Sequence, residues 1–462
     1  ALVQADTGAT LAVVQQPETE LAMSAVQPGW AEQDPETWWD CVCQATKKLL
    51  NQTGIQPADI QGIGISYQMH GLVVVDKNYE TLRPSIIWCD SRAVEIGNRA
   101  FDEIGHECCL RRLLNSPGNF TAAKLKWVKD NEPETFRRIH KFMLPGDYIA
   151  LRLTGETMTT PSGLSEGILW DFQENGVADM VLDYFGFDKN LIPRVAPTFS
   201  LQGEVTQAAA EATGLRKGIP VTYRAGDQPN NALSLNVLQP GEVAATGGTS
   251  GVVYGVVDKP AFDPQSRVNS FLHVNHQLAG ASPNHQSPIT NHQTRIGILL
   301  CINGAGIQYS WVRQNMAQGG ISYSEMERLA ASVPVGSDDL RILPFGNGAE
   351  RMLGNRNPGA HVGNLQFNRH TSAHFYRAAL EGIAFSFVHG VNILKNMGLN
   401  VSIMRVGNDN LFQSEVFSGT VSNLLGCKIE VVETTGAVGA AKAAGVAAGA
   451  YASLEEAVRN VK

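Results

Sequence analysis

The sequence predicts an α/β protein of two domains with a cleft between them. Three observations lead there. Short apolar strands followed by helical segments occur twice along the 462 residues, first from Ala1 to Leu153 and again from Pro220 onward. The composition is 43% apolar and 17% charged, which allows a large buried core and argues against disorder. The 46 glycines suit tight turns and close approach of backbone to a ligand. The repeat is weak and has no short solenoid period.

The elements follow in order. Ala1 to Ala5 and Thr10 to Val14 read as strands, with Asp6-Thr7-Gly8-Ala9 as the turn between them. Pro35 to Leu50 reads as a helix, with Asp34 as N-cap and proline at the first helical position. Ile60 to Tyr67 is a buried strand, and Leu72 to Val75 and Ser85 to Trp88 are further strands. Helical signals dominate from Ala93 to Leu153, where Thr121 caps a helix that stops before Pro133. The second half opens with strands at Val221 to Tyr223, Glu242 to Thr246 and Val252 to Val257. Helices return at Ser372 to Met397 and Gly439 to Ala450, and residues 277–292 form a polar loop.

Several function classes fall away. A net charge of −8 argues against a general nucleic-acid or anionic-membrane binder. The seven cysteines include no C-x-x-C and no zinc spacing, which favours reduced thiols in a cytoplasmic protein. The longest near-apolar tract, Gly436 to Ala452, carries Lys442 and is too short to span a membrane. His273, His276, His285 and His292 resemble metal ligands superficially, but the last two lie in the polar loop with no Cys or carboxylate at ligand spacing.

Five groups of residues could carry chemistry. Gly247-Gly248-Thr249-Ser250-Gly251 joins two apolar strands; its glycines admit a ligand and its hydroxyls can bind phosphate oxygens, although a plain glycine hairpin also fits. It is not a P-loop, because no G-x-x-x-x-G-K-[ST] occurs. Asp227 follows a strand end and Gly226, beside Gln228. A carboxylate there can take the proton of an attacking hydroxyl, or cap a helix, and the two roles are compatible. Gln68, Met69, His70 and Gly71 emerge at the end of the buried strand, where Gln68 and His70 could bind a polyhydroxylated ligand. Trp88, Asp90 and Arg92 make a similar strand exit; the Trp suits the apolar face of a sugar, while Asp and Arg can bind hydroxyls or pair with each other. Last, Gly407-Asn408 and the small residues Gly436 to Gly445 could accept an adenosine or serve close helix packing.

Together these segments resemble the FGGY family of carbohydrate kinases over nearly the whole chain. Gln68-Met69-His70-Gly71 is similar to a family sugar motif, and Trp88-x-Asp90-x-Arg92 to the next strand exit. Phe120 to Trp127 resembles the first family signature, with Asn119 where glycine is usual. Gly226-Asp227-Gln228 is similar to the catalytic loop, and Thr246 to Gly251 to the second phosphate motif. His374 to Gly382 resembles the second signature, and Asn364 again replaces a usual glycine. Gly407-Asn408 and Gly436 to Gly445 are similar to the adenosine region. Asp6-Thr7-Gly8-Ala9-Thr10 only mimics the family's first phosphate hairpin; Asp6 reads as a structural turn, with the true motif expected upstream of Ala1 and a C-terminal helix beyond Lys462.

The resemblance implies two ribonuclease-H-like domains of the actin/hexokinase ATPase type flanking a central cleft. Residues 1–223 would form a sugar-binding domain and residues 224–462 a nucleotide-binding domain. It implies transfer of the ATP γ-phosphoryl group to the terminal hydroxyl of a sugar, D-xylulose first, with gluconate or L-ribulose as alternatives. A non-catalytic nucleotide-binding module is a further alternative. Asp227 would be the catalytic base. Gln68, Met69, His70, Trp88, Asp90 and Gln228 would bind the sugar, and Gly248, Thr249, Ser250, Gly407 and Asn408 the ATP. Mg²⁺ would accompany the nucleotide, with Asp227 close by and its main carboxylate upstream of Ala1. A small-molecule sugar and ATP are the expected partners, with a homodimer as a possible assembly.

Overall fold

The computed structural model describes residues 1–277, 294–316, 320–408 and 410–459. His285 and His292, and Asp409 of the adenosine region, lie outside them.

Contacts group the described residues into two units that interleave along the chain. The first comprises those of Ala1–Asn236, Phe271–Ile296 and Thr434–Val461; the second those of Val237–Ser270 and Gly297–Glu433. The sequence reading puts one boundary at 223–224. Contacts instead carry the first unit on to Asn236 and bring a late helix back to it, because the pairings that build this unit are remote in sequence.

In the first unit, local rules account for the early elements. Leu2–Val3 pairs antiparallel with Thr10–Ala12, so Asp6 sits in the connecting turn, exposed. The helix Pro35–Thr53 starts where Asp34 accepts the Glu36 N–H at 3.0 Å, and stops at Gly54 with φ 67°. Its Trp39 packs with Ile65, Tyr67, Ala210 and Val221 in one buried cluster. Ile63–Tyr67 and Val221–Gly226 pair in parallel, with Tyr67 opposite Gly226. The helix Gly436–Ala447 lies against this pair. A Cβ on Gly64 would fall 2.0 Å from the Ala440 carbonyl oxygen, so only glycine admits that approach. The Thr222 hydroxyl donates to the Ala444 carbonyl at 2.9 Å. The small residues of this helix therefore serve close packing against the strands, the second of the two uses open to them.

Thr121 does not cap its helix. Phe120 holds the N-cap position without a side-chain bond, and Thr121 is the first residue of the helix Thr121–Asn131. Its buried hydroxyl donates instead to the Gly71 carbonyl at 3.2 Å.

The second unit is organised by a six-stranded sheet. Its spatial order is Asn269–Leu272, Ile296–Ile302, Gly251–Val257, Glu242–Gly247, Ile403–Gly407 and Lys428–Val432. Glu242–Gly247 runs antiparallel to Gly251–Val257 and parallel to Ile403–Gly407. The 25-residue helix Ser372–Asn396 supplies much of the core, with Leu380, Ile383, Phe387 and Val391 fully buried. Among the described residues no helix is long and apolar enough to cross a membrane. All seven cysteines are free thiols.

Candidate active site

Parallel pairing determines what meets in the first unit. Ile63–Tyr67 and Val221–Gly226 end side by side, so the segment Gln68–Gly71 and Asp227 leave the sheet at the same edge. Asp227 is the first residue of the helix Asp227–Ser234. Burial pushes its carboxyl up to about 6, while the Gln228 side chain and the backbone N–H groups of Gln228, Asp227 and Met69 favour its charged form. A carboxylate poised there is ionised at neutral pH yet basic enough to receive a proton.

The sequence-predicted residues of this unit take different places. Met69 is buried; its side chain packs on Gly226, and its backbone N–H serves Asp227. His70 has φ 65°, a left-handed conformation uncommon outside glycine and retained where the surroundings over-determine it. Its Nδ1 donates to the Glu166 carbonyl at 2.9 Å, which fixes the ring's tautomer and orientation. Phe120 meets the ring edge-on at 4.7 Å between centroids. Gln68 donates weakly to Gln33 Oε1 at 3.5 Å, and Gln228 Nε2 donates to Asp227 at 3.3 Å. Trp88 is 60% exposed, as a stacking platform requires.

Asp90 is the exception. It is fully buried, and its oxygens accept from the Ala31 N–H at 2.6 Å and from Arg92 N, Nε and Nη2. Arg92 stacks 3.8 Å over the Trp30 ring and pairs with Glu32 at 2.7 Å. Of the two uses open to the pair, the structure has Asp and Arg bonded to each other. Asn119, at the usual glycine position, donates from Nδ2 to the Asp90 carbonyl.

Two residues of this site carried no assignment in the sequence reading. Lys124 is fully buried, and its Nζ donates to the carbonyls of His70 and Ile87. Burial lowers its pKa to about 7, against the opposing pull of Asp90. Glu166 ends the short helix Pro161–Glu166 and lies against Gly226. The first has an indirect sequence signal, being a lysine inside the signature-like run Phe120 to Trp127. The second has none.

In the second unit Gly248, Thr249 and Ser250 form the turn between two antiparallel strands, with both hydroxyl residues exposed. Gly306 N donates to the Gly248 carbonyl at 3.0 Å and Ile307 N to that of Thr249 at 3.1 Å, so a neighbouring loop braces the turn. That loop is itself held by the buried Glu350, which accepts from the N–H groups of Asn303 and Gly304. Gly407 ends a strand parallel to Glu242–Gly247, so Gly407-Asn408 and the turn emerge at the same sheet edge. Exposed Asn408 donates from Nδ2 to Glu433.

Among the described residues no group of three or more His, Cys, Asp or Glu could hold a metal ion. His276 Nδ1 accepts the Arg295 N–H at 3.2 Å. Asp227 offers hard oxygens of the kind Mg²⁺ takes. A single protein carboxylate fits an ion that draws its other ligands from nucleotide phosphates and water.

Comparison with known proteins gives the family. The N-terminal domain of the FGGY family of carbohydrate kinases matches residues 6–234, and the C-terminal domain matches residues 243–448. The xylulose kinase of Escherichia coli is 28% identical over 443 residues, covering 95% of this chain and 86% of the relative. The xylulose kinase of Bacillus subtilis is 27% identical over 441 residues, covering 93% and 82%. The crystal structure of xylulose kinase from Rhodospirillum rubrum superposes with a TM-score of 0.82 at 26% identity, covering 96% of this chain and 86% of that one. The chain has the two-domain fold of these sugar kinases, and it belongs to the FGGY family of carbohydrate kinases, enzymes that phosphorylate a sugar with ATP.

Proposed function

We propose that this kinase transfers the γ-phosphoryl group of ATP to the terminal hydroxyl of D-xylulose, giving D-xylulose 5-phosphate and ADP, with Asp227 as the catalytic base. The observation that carries the reading is the common edge at which Asp227 and Gln68–Gly71 leave two parallel strands. Relatives named xylulose kinase support the choice of sugar.

Phosphoryl transfer passes through a loose, charge-rich transition state, so positioning and electrostatics supply most of the acceleration. In this reading His70, Gln68 and the exposed face of Trp88 hold the sugar. Asp227 accepts the proton of the attacking hydroxyl, with Gln228 steadying it. Thr249 and Ser250 hydroxyls and the Gly248 backbone bind phosphate oxygens, and Gly407-Asn408 receives the nucleoside. Mg²⁺, held by Asp227 together with the nucleotide, would neutralise phosphate charge. The seven free thiols suit a reducing, cytoplasmic setting.

A second acceptor has a specific observation behind it: a relative named L-xylulose/3-keto-L-gulonate kinase is 29% identical over 449 residues. ADP release from Mg-ATP separates these readings when D-xylulose, L-xylulose, 3-keto-L-gulonate, gluconate, L-ribulose and no sugar are compared. Stimulation greatest with D-xylulose is expected. Greater stimulation by another sugar would reassign the acceptor, and none with any sugar would overturn the kinase reading of Asp227.

A further inference from the structure

Glu166 is an anomaly within the first unit. It is 2% exposed; the Tyr67 hydroxyl is the hydrogen-bonding neighbour of its carboxyl, and no bond of good geometry reaches either oxygen among the described residues. A buried carboxyl in that condition is costly unless it is neutral or does something for its surroundings. The polar groups that act on it are Tyr67, Asp147 and Asp227, and the first two are themselves within reach of Arg224.

Its placement is specific. Gly226 lacks a Cβ, and the space that atom would occupy is shared by Glu166 Oε2 and Met69 Cγ, each 2.5 Å from it. Gly226 is the residue before Asp227, and Met69 supplies the N–H that serves the Asp227 carboxylate. The backbone carbonyl of the same glutamate orients His70 through Nδ1 at 2.9 Å. One residue therefore touches the segment that presents the base and the ring assigned to the sugar.

We propose that Glu166 is a positioning residue for phosphoryl transfer, its side chain wedging Gly226 against Met69 so that the Met69 N–H stays on Asp227. The role belongs to the shape and hydrogen-bonding capacity of a planar, branched head group, so the amide of glutamine can fill it and a methyl group cannot. This deepens the reading of Asp227 as base.

Two measurements test it on the full chain. Selective ¹⁵N labelling of methionine gives ten amide signals, and Met69→Leu assigns that of Met69. Glu166→Ala is expected to move the Met69 amide resonance away from its native position, and Glu166→Gln to return it. In steady-state kinetics Glu166→Ala is expected to lower kcat up to about 100-fold, as misplacement by about 1 Å does, with the KM for ATP unchanged. Glu166→Gln should recover most of that loss. Thermal melts of both variants establish that they fold. A Met69 amide unmoved in Glu166→Ala overturns the proposal, as does a glutamine variant as impaired as the alanine one. If no sugar stimulates the native protein, the kinase reading fails, and the amide signal still decides the role of Glu166.

Discussion

Lys124 ties two strand exits together: its Nζ donates to the carbonyl of His70 at 2.8 Å and to that of Ile87 at 3.0 Å. His70 follows the strand Ile63–Tyr67, and Ile87 precedes Trp88. One buried amine thereby sets the relative height of the two segments assigned to the sugar. Lys124→Met removes both bonds while the Ile87 carbonyl keeps the Asp90 N–H at 3.2 Å, so the expected loss is that of two buried hydrogen bonds, roughly 1–3 kcal/mol in all. The expected outcome is a lower melting temperature and a raised KM for the sugar with little change in that for ATP. Equal effects on both substrates would detach Lys124 from the sugar side.

His70→Ala tests the ring itself. Its Nδ1 is occupied by the Glu166 carbonyl, and Phe120 packs on its edge, so truncation removes an oriented polar group and part of a small aromatic cluster. The KM for the sugar should rise more than that for ATP. Parallel increases would count against a place for His70 on the acceptor side.

Asp227→Asn keeps the shape of the side chain and removes its basicity. A general base contributes about 10² to 10⁴ in rate, so kcat should fall by that order, with the melting temperature little changed. The native enzyme carries the matching signature in pH. Burial raises this carboxyl to about 6, so the base is ionised above that value and protonated below it. The rate should accordingly fall as pH drops through about 6, well above the range of an ordinary aspartate. Turnover that persists unchanged to pH 4.5 would exclude Asp227 as the base.

Much of this was legible in the sequence where the determinants are local. Asp34 before Pro35 announces a helix start, because a cap acts through backbone groups within one turn; the end read at Leu50 falls short, the helix running on to Thr53 and stopping at Gly54. The two strands were visible as the apolar runs Ile60 to Tyr67 and Val221 to Tyr223, which the structure has as Ile63–Tyr67 and Val221–Gly226, and Asp227 as an acid just past a strand end and a glycine. What joins them was not. The parallel pairing spans more than 150 residues, and no periodicity reports which strands become neighbours. Glu166 was invisible for the same reason: its significance lies in the space left by Gly226, sixty residues away. Thr121 carried a misleading local signal, since a hydroxyl at a helix start reads as a cap and here bonds Gly71 instead. Asn364 is the reverse case. It replaces a usual glycine yet keeps the backbone that glycine favours, at φ 60°, which asparagine tolerates better than most residues.

In the second unit the hydroxyls of Thr249 and Ser250 stand exposed on a turn braced from beneath by Gly306 and Ile307 backbone bonds. The bracing does not use the Ser250 side chain. Ser250→Ala should therefore leave stability within about 0.5 kcal/mol of native, the range for surface changes. The KM for ATP should rise, or kcat fall, with the KM for the sugar held. Unaltered nucleotide kinetics would remove Ser250 from the phosphate site.

Asp90 offers the sharpest contrast between a binding role and a supporting one. Its carboxylate is enclosed by Arg92 and the Ala31 N–H, and Arg92 in turn pairs with Glu32 and lies against the Trp30 and Trp127 rings, which meet edge-to-face. Removing Asp90 leaves Arg92 with Glu32 as its one carboxylate partner among the described residues and the Ala31 N–H without this acceptor, at roughly 1–3 kcal/mol for each buried polar group that loses its partner. Asp90→Ala should thus cost a few kcal/mol in chemical denaturation, because Arg92 is buried against the Trp30 and Trp127 rings and loses its Asp90 bonds there. Asp90→Asn keeps an acceptor for the Ala31 N–H but not the charge, and should fall between the alanine variant and native. A carboxylate that bound the sugar directly would give the opposite ranking of readouts: stability near native in both variants, and a KM for the sugar raised in both.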